Sequence, residues 1–317
     1  MSATTDSRAP EVVVDAAAAA AASVRKRSIW ELLLKNSNVV FGGVIMALMV
    51  LVALAAPWLG TIDPTDIDPA FRNKLPGTER SFTNDSGASV ERNYLMGTDS
   101  LGRDIHSRVI YGARISLIVG ITVAALSIAA GLLIGLISGY FRIVDGIVMR
   151  VMDGLMAIPS ILLAIALVSL SGAGLGTVIM AITIPEIPRV VRLVRSIVLS
   201  IREEPYVEAA ISVGTSTPLI LIRHVLPNTI APLIVQGTYV CASAILIEAI
   251  LSFLGCGIPP EIPTWGNIMA EGRIYFRIIP TQLLFPGLFL AFTVLAVNVL
   301  GDGLRDTLDP RLAKRMQ

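Results

Sequence analysis

Glu208-Ala209-Ala210-Ile211-Ser212-Val213-Gly214, followed by Leu226-Pro227-Asn228, is the stretch on which the reading of this chain turns. It sits in a polar, turn-rich segment of about 30 residues with a very apolar segment on either side. Pro205 suits the first turn of a helix, where its missing N–H costs nothing. Tyr206 to Val213 has no breaker, and Gly214 tolerates the left-handed backbone that ends a helix. Thr215-Ser216-Thr217 supplies hydroxyl caps and Pro218 restarts a helix toward His224. A short helix held between two membrane spans transmits a push into them. Ala209, Ala210 and Gly214 leave room for a partner's backbone to come close.

The rest of the composition agrees with a membrane setting. The chain of 317 residues is 54% hydrophobic and 15% charged, with mean hydropathy +0.74, whereas a soluble domain carries roughly 25% charged residues. A formal net charge of +1 gives no reason to expect nucleic acid. Two cysteines, Cys241 and Cys256, and two histidines, His106 and His224, lack metal-ligand spacing, and the cysteines read as small core residues.

About 20 apolar residues cross a bilayer as a helix, and backbone polar groups in lipid must bond internally. The candidate spans are Val39–Leu59, Ile115–Phe141, a span near 147–170, another near 175–194 beyond the turn at Ser171-Gly172-Ala173-Gly174, Val225 to about Leu254, and Ile278–Gly301. The expectation is therefore an all-α membrane protein of six transmembrane helices, with both ends on one side. Of the 25 Lys and Arg residues, five precede the first span, two lie near 142–150, five in 189–223 and four after 301. That bias puts both termini in the cytoplasm. The expected divisions are a disordered tail over 1–37, a first transmembrane helix over 38–59 and an outer loop over 60–112. A five-helix core over 113–304 follows, with a coupling loop at 196–226 inside it, and then a tail over 305–317. Asp63-Pro64, Asp68-Pro69 and Pro76-Gly77 favour turns in the outer loop, with room for one short helix. The alanine run Ala16–Ala22 reads as low-complexity tail, and no cleavable signal peptide is evident because the basic cluster follows the alanines.

Glu208-Ala209-Ala210, then Gly214, then His224-Val225-Leu226-Pro227 resembles the EAA loop of permeases of binding-protein-dependent ABC importers. Three further stretches are similar to the dipeptide, oligopeptide and nickel branch. They are Leu95-Met96-Gly97-Thr98-Asp99-Ser100-Leu101-Gly102-Arg103-Asp104; Leu251-Ser252-Phe253-Leu254-Gly255 with Pro263-Thr264-Trp265-Gly266; and Asn298 to Asp306 with Leu308-Asp309-Pro310-Arg311. The likeness runs from about residue 30 to the end, in the order of the C-type permease subunit of that branch. It departs from the pattern at Ile184-Pro185-Glu186-Ile187-Pro188, where relatives tend to carry a Trp-Pro-Gly-like stretch.

The resemblance implies the type I importer permease architecture and half of a translocation pathway for di- and oligopeptides, in a bacterial inner membrane. It implies as partners a second homologous permease subunit, two cytoplasmic P-loop ATPases holding ATP and Mg, a periplasmic or lipid-anchored peptide-binding protein, and membrane lipid. This chain has no Gly-x-x-x-x-Gly-Lys-Ser/Thr loop and no nucleophile–base pair, so it is expected to be no enzyme and to hold no cofactor or metal. Pro205, Tyr206, Glu208, Ala209, Ala210, Gly214, Thr215, Leu226 and Pro227 are the expected ATPase-coupling residues. Glu208 is expected to pair with Arg202 or Arg223.

Ionisable groups within spans are candidates for pathway or gate. Glu248 either meets the peptide's amino end or pairs with another helix. Asp153 is expected to pair with Arg150 or Arg189. Glu186, Arg189, Arg192 and Arg195 form a stripe that reads as headgroup snorkelling and topology setting. Within the family, nickel or glutathione are alternative cargoes. Outside it, a stand-alone secondary transporter predicts internal repeats and midplane coupling groups, and a scaffold leaves the patterned loop unexplained.

Overall fold

The computed structural model describes residues 29–83 and 89–308. Ala16–Ala22, Lys26-Arg27, and Arg311, Lys314 and Arg315 lie outside the described residues, as do most of the two tails.

Helix α1 (Ile29–Lys35) precedes α2 (Ser37–Ala55). The tail expected to reach residue 37 therefore ends earlier. Glu31 in the first turn and Lys35 in the last complement the dipole of α1. Asn36 separates the two helices: its Oδ1 accepts from Asn38 N at 2.9 Å, capping α2, while its Nδ2 donates to Gly303 O at 3.1 Å.

After a 3₁₀ turn at Ala56–Trp58, the chain enters the expected outer loop. It is more ordered than turn signals alone implied. Thr65 donates from both its N–H and its hydroxyl to Asp63, which holds that carboxyl below the usual range. Strands β1 (Thr78–Thr83) and β2 (Ser89–Tyr94) form an antiparallel hairpin with Thr78 opposite Tyr94 and Arg80 opposite Arg92. The protein is thus not purely α-helical.

The long helix α3 (Ile105–Tyr140) begins inside the segment expected to be loop, because Asp104 caps it and accepts from Ser107 N at 2.9 Å. Next come α4 (Arg142–Ala157) and α5 (Ser160–Ser171), bent by 89° at their junction. One straight span near 147–170 is not what forms. Pro159 has no N–H and disfavours helix at Ile158. Helix α6 (Leu175–Arg202) follows, taking in the first seven residues of the expected coupling loop. Then come α7 (Pro205–Ser212), α8 (Thr217–Ile220), a π-helical turn at Leu221–Val225, and α9 (Leu226–Phe253). Finally, α10 (Trp265–Gly272) leads to α11 (Thr281–Leu308), which extends beyond residue 304.

Among the described residues, four helical runs are long and apolar enough to cross a membrane: Ser37–Trp58, Ile105–Tyr140, Thr217–Phe253 and Thr281–Leu308; the bent pair α4–α5 makes a fifth if it is one span. Helix α6 is long enough, but each of its 18-residue stretches contains Glu186, Arg189 and Arg192.

α3 and α6 make the most extensive helix contact, and they run parallel. Gly131, Gly135 and Gly139 on α3 face Val190, Val194 and Val198 on α6. A Cβ on these glycines would lie 2.5, 2.7 and 2.7 Å from the respective valine Cβ atoms. Small residues four apart let two helix backbones approach closely, the usual packing device where lipid provides no hydrophobic drive between helices. Helix α11 packs on α2 and α9, and α9 packs on α3. A cleft of about 630 Å³ lined by Leu193, Pro227, Gln236, Arg305 and Leu308 shows that the start of α9, which directly follows the 205–226 element, and the end of α11 share one end of the bundle. The hairpin lies at the other.

Candidate functional site

The element from Pro205 to Pro227 is anchored by few residues and exposed at most others. Val207, Ile220 and Val225 are fully buried and tie it to the bundle. Pro205 opens α7 and is exposed. Tyr206 rests against His224, with ring centroids 6.0 Å apart. At the end of α7, Thr215 N donates to Ala210 O at 3.0 Å and Gly214 N to Ile211 O at 2.9 Å. These are the two hydrogen bonds of a Schellman C-cap, and Gly214 takes the left-handed position with φ +86°. Nothing lies within 4 Å of where a Gly214 Cβ would point.

The Leu-Pro-Asn turn has its own local cause. Pro227 lacks an N–H, and the helix widens there into the π turn, with Leu226 N donating to Leu221 O. Asn228 Nδ2 donates to His224 O at 2.7 Å, which satisfies a carbonyl at that irregularity.

The face this element turns outward is mixed. Glu208, Ala209, Ile211, Val213, Leu219 and Ile222 are all exposed, Val213 at 86%. Glu208 forms no ion pair among the described residues, so the expected pairing with Arg202 or Arg223 does not form. Ala210 and Thr215 are half-buried, as is Leu226.

Glu248 and Asp153 are far from that element and unlike each other. Glu248, near the hairpin end of α9, is fully buried, and its Oε1 accepts from Ser252 Oγ one turn later at 2.8 Å. Its contacts are with its own helix and the segment folded over it, and among the described residues no basic residue pairs with it. Asp153 on α4 is exposed and pairs with Arg192 of α6 at 2.5 Å, in place of the expected Arg150 or Arg189. Asp145 pairs with Arg195 in the same way. The arginine stripe of α6 is therefore largely ion-paired across to α4, rather than directed to headgroups.

At the hairpin end a buried ionic cluster forms that the sequence does not announce. Arg103 Nε donates to Asp99 Oδ2 at 2.7 Å and its Nη2 to Glu271. Arg108, with 1% of its side chain exposed, lies 3.6 Å from Asp99 and 3.5 Å from Glu271, and donates to Pro260 O at 3.3 Å. Backbone bonds from Asn73 N to Asp99 O and from Thr98 N to Lys74 O sew the loop together. Gln282 Nε2 adds a bond to Thr98 O at 2.9 Å. Trp265 Nε1 donates to Val109 O at 3.0 Å, and Asn267 Nδ2 to Ile258 O at 2.9 Å. The Leu95–Asp104 and Pro263–Gly266 stretches thus clamp α3 to the segment before α11.

Comparison with known proteins gives a consistent neighbourhood. Residues 127–314 match the model of the family described as binding-protein-dependent transport system inner membrane component. Residues 26–76 match the N-terminal transmembrane domain of oligopeptide transport permease C. A probable peptide ABC transporter permease protein of Sinorhizobium fredii is 52% identical over 92% of this chain and 95% of its own. A di/tripeptide transport system permease protein of Pseudomonas aeruginosa is 41% identical over 90% of this chain and 92% of its own. Among solved structures, a chain of the MetNI methionine ABC transporter in inward-facing conformations aligns with TM-score 0.50 at 18% identity, covering 64% of this chain and 96% of that one. That last likeness shows the fold alone.

Proposed function

The chain belongs to the family of binding-protein-dependent transport system inner membrane components, and on that premise we propose that it forms one half of the pathway by which an ATP-driven importer takes up di- and oligopeptides. It is a multi-pass membrane permease subunit and not itself an enzyme. The observation that carries the peptide reading is the pair of peptide-transport relatives matched along nine-tenths of the chain or more, at 52% and 41% identity.

In this reading the six spans are α2, α3, the α4–α5 pair, α6, α9 and α11. Both termini and the 205–226 element lie in the cytoplasm, and the hairpin faces outward; the lysine and arginine bias supports that orientation. The partners are a second homologous permease subunit, two cytoplasmic P-loop ATPases that hold ATP and Mg, and a peptide-binding receptor on the outer face. Pro205, Tyr206, Glu208, Ala209, Ala210, Gly214 and Thr215 meet an ATPase, and Leu226 and Pro227 hinge the element to α9. An exposed face with Ile211, Val213 and Ile222 outward supports such docking. Closure of the ATPases moves α7, and buried Val207, Ile220 and Val225 pass the motion to α6 and α9. The bundle then rocks between outward and inward access.

The test is ATP-dependent uptake of labelled trialanine by the assembled complex, alongside cross-linking of Ala209→Cys to the ATPase. Uptake with a cross-link supports the reading. Absence of uptake, or a cross-link only to the receptor, contradicts it.

A further inference from the structure

α6 carries charges no lipid-facing span tolerates, yet it is among the most enclosed helices, packed on α3, α5 and α9. Arg192 and Arg195 are accounted for by Asp153 and Asp145 of α4. Arg189 is held differently. Its Nη1 lies 3.3 and 3.4 Å from the two oxygens of Glu186, one turn earlier on the same helix. Glu186 is fully buried and also accepts from Ser243 Oγ of α9 at 3.3 Å. Arg189 stands 5.9 Å from the Tyr239 ring, and 37% of its side chain is exposed. Its Nε and Nη2 make no hydrogen bond among the described residues.

Depth makes this arrangement informative. In the proposed six-span topology α6 enters the hydrocarbon layer near its start, so at about 1.5 Å per residue Glu186 lies roughly 16 Å and Arg189 roughly 21 Å into it, within a layer of about 30 Å. An exposed guanidinium at that depth does not face lipid; such groups turn to the bundle interior or to a water-filled cavity. The neighbouring face is open as well: Tyr239 and Leu246 on α9 and Met180 on α6 are exposed.

We propose that the groove between α6 and α9 at Arg189, Tyr239 and Ser243 is a wall of the translocation pathway, and that Arg189, positioned by Glu186, contacts the carboxylate of the transported peptide. The identity of that anion rests on the peptide reading above; the hydration of the groove rests only on the six-span topology proposed there. A guanidinium with one edge tied to Glu186 keeps its Nε–Nη2 edge for a second carboxylate, in the parallel two-bond geometry arginine favours. Glu186 also balances the charge, so the contact stays weak enough for release. A carrier of peptides with varied side chains needs a handle common to all of them, and the terminal carboxylate is one.

The experiment uses the full complex in lipid vesicles, in a background with Cys241→Ala and Cys256→Ala. Tyr239→Cys is the reporter, and Ser243→Cys a second in case the first fails to assemble. Labelling by an anionic and a cationic methanethiosulfonate reagent is timed, each relative to its rate on a free thiol. We expect both to react, the anionic reagent about tenfold faster. Arg189→Gln should remove that preference. Trialanine should slow labelling, and trialanine amide should not. No labelling of either reporter, a preference untouched by Arg189→Gln, or equal protection by both peptides overturns the inference. Charge-selective labelling in a complex that takes up no peptide overturns the peptide reading and, with it, the carboxylate contact, while leaving the groove aqueous.

Discussion

The two ends of this bundle use polar residues in opposite ways. At the hairpin end, Asp99, Arg103, Arg108 and Glu271 pair with one another in a largely buried cluster. At the other end, Glu208 stands exposed without an ion pair among the described residues, beside exposed Ile211, Val213 and Ile222. Both ends carry recognisable motifs. One motif finishes the fold of the single chain, and the other leaves a surface unfinished. A motif whose partners lie within its own chain builds structure, and one whose side chains find none there is available to another protein.

The largest effect should come from breaking the finished end. Arg108→Leu strands Asp99 and Glu271 with half their positive charge gone. Truncating one member of a buried ionic group costs about 3–5 kcal/mol. Loss of folded protein in detergent, or a large drop in its unfolding midpoint, is the expected outcome; an unchanged midpoint would show the cluster to be incidental.

Second in size is the close approach in the middle of the bundle. Gly135→Leu puts a side chain where Val194 already stands, and overpacking of this kind costs about 1–3 kcal/mol. Thermal unfolding of the detergent-solubilised variant measures it. Gly43→Leu, where no atom of the described residues lies within 4 Å, is the control that should be tolerated.

Gly214→Trp sharpens the contrast between the ends. Its stability cost is limited to the left-handed backbone, about 1–2 kcal/mol, because no atom of the described residues stands within 4 Å of its Cβ position. The variant should insert and purify normally yet lose ATP-coupled uptake. Normal uptake would remove the docking role of the element. Smallest of all is Glu208→Gln, which should change stability by less than about 0.5 kcal/mol, as at an exposed site with no ion-pair partner among the described residues. A larger shift in the unfolding midpoint would reveal an intramolecular partner.

These differences also explain what was legible beforehand. The uncharged runs within α2, α3, α9 and α11 are visible because lipid demands apolar length. The helix–Gly214–helix grammar is visible because its hydrogen bonds are local. The 89° bend at Pro159 was signalled by the proline and obscured by the uncharged run around it. The ionic cluster was hidden because Arg108 and Glu271 are 163 residues apart, and periodicity says nothing about contacts at that separation. For the same reason the arginines of α6 read as a surface stripe until Asp145 and Asp153 came into view. The glycines at 131, 135 and 139 are spaced four apart in the sequence, but nothing there names the valines they meet.

In the proposed mechanism the permease draws its energy from elsewhere through the 205–226 element. The direct measurement is accumulation of labelled trialanine against a gradient in vesicles that contain both permease subunits and the receptor, with ATP supplied, with and without the ATPase subunits. Accumulation only when the ATPases are present is the predicted result. Uphill accumulation, or ATP hydrolysis, by the permease subunits without them would contradict it.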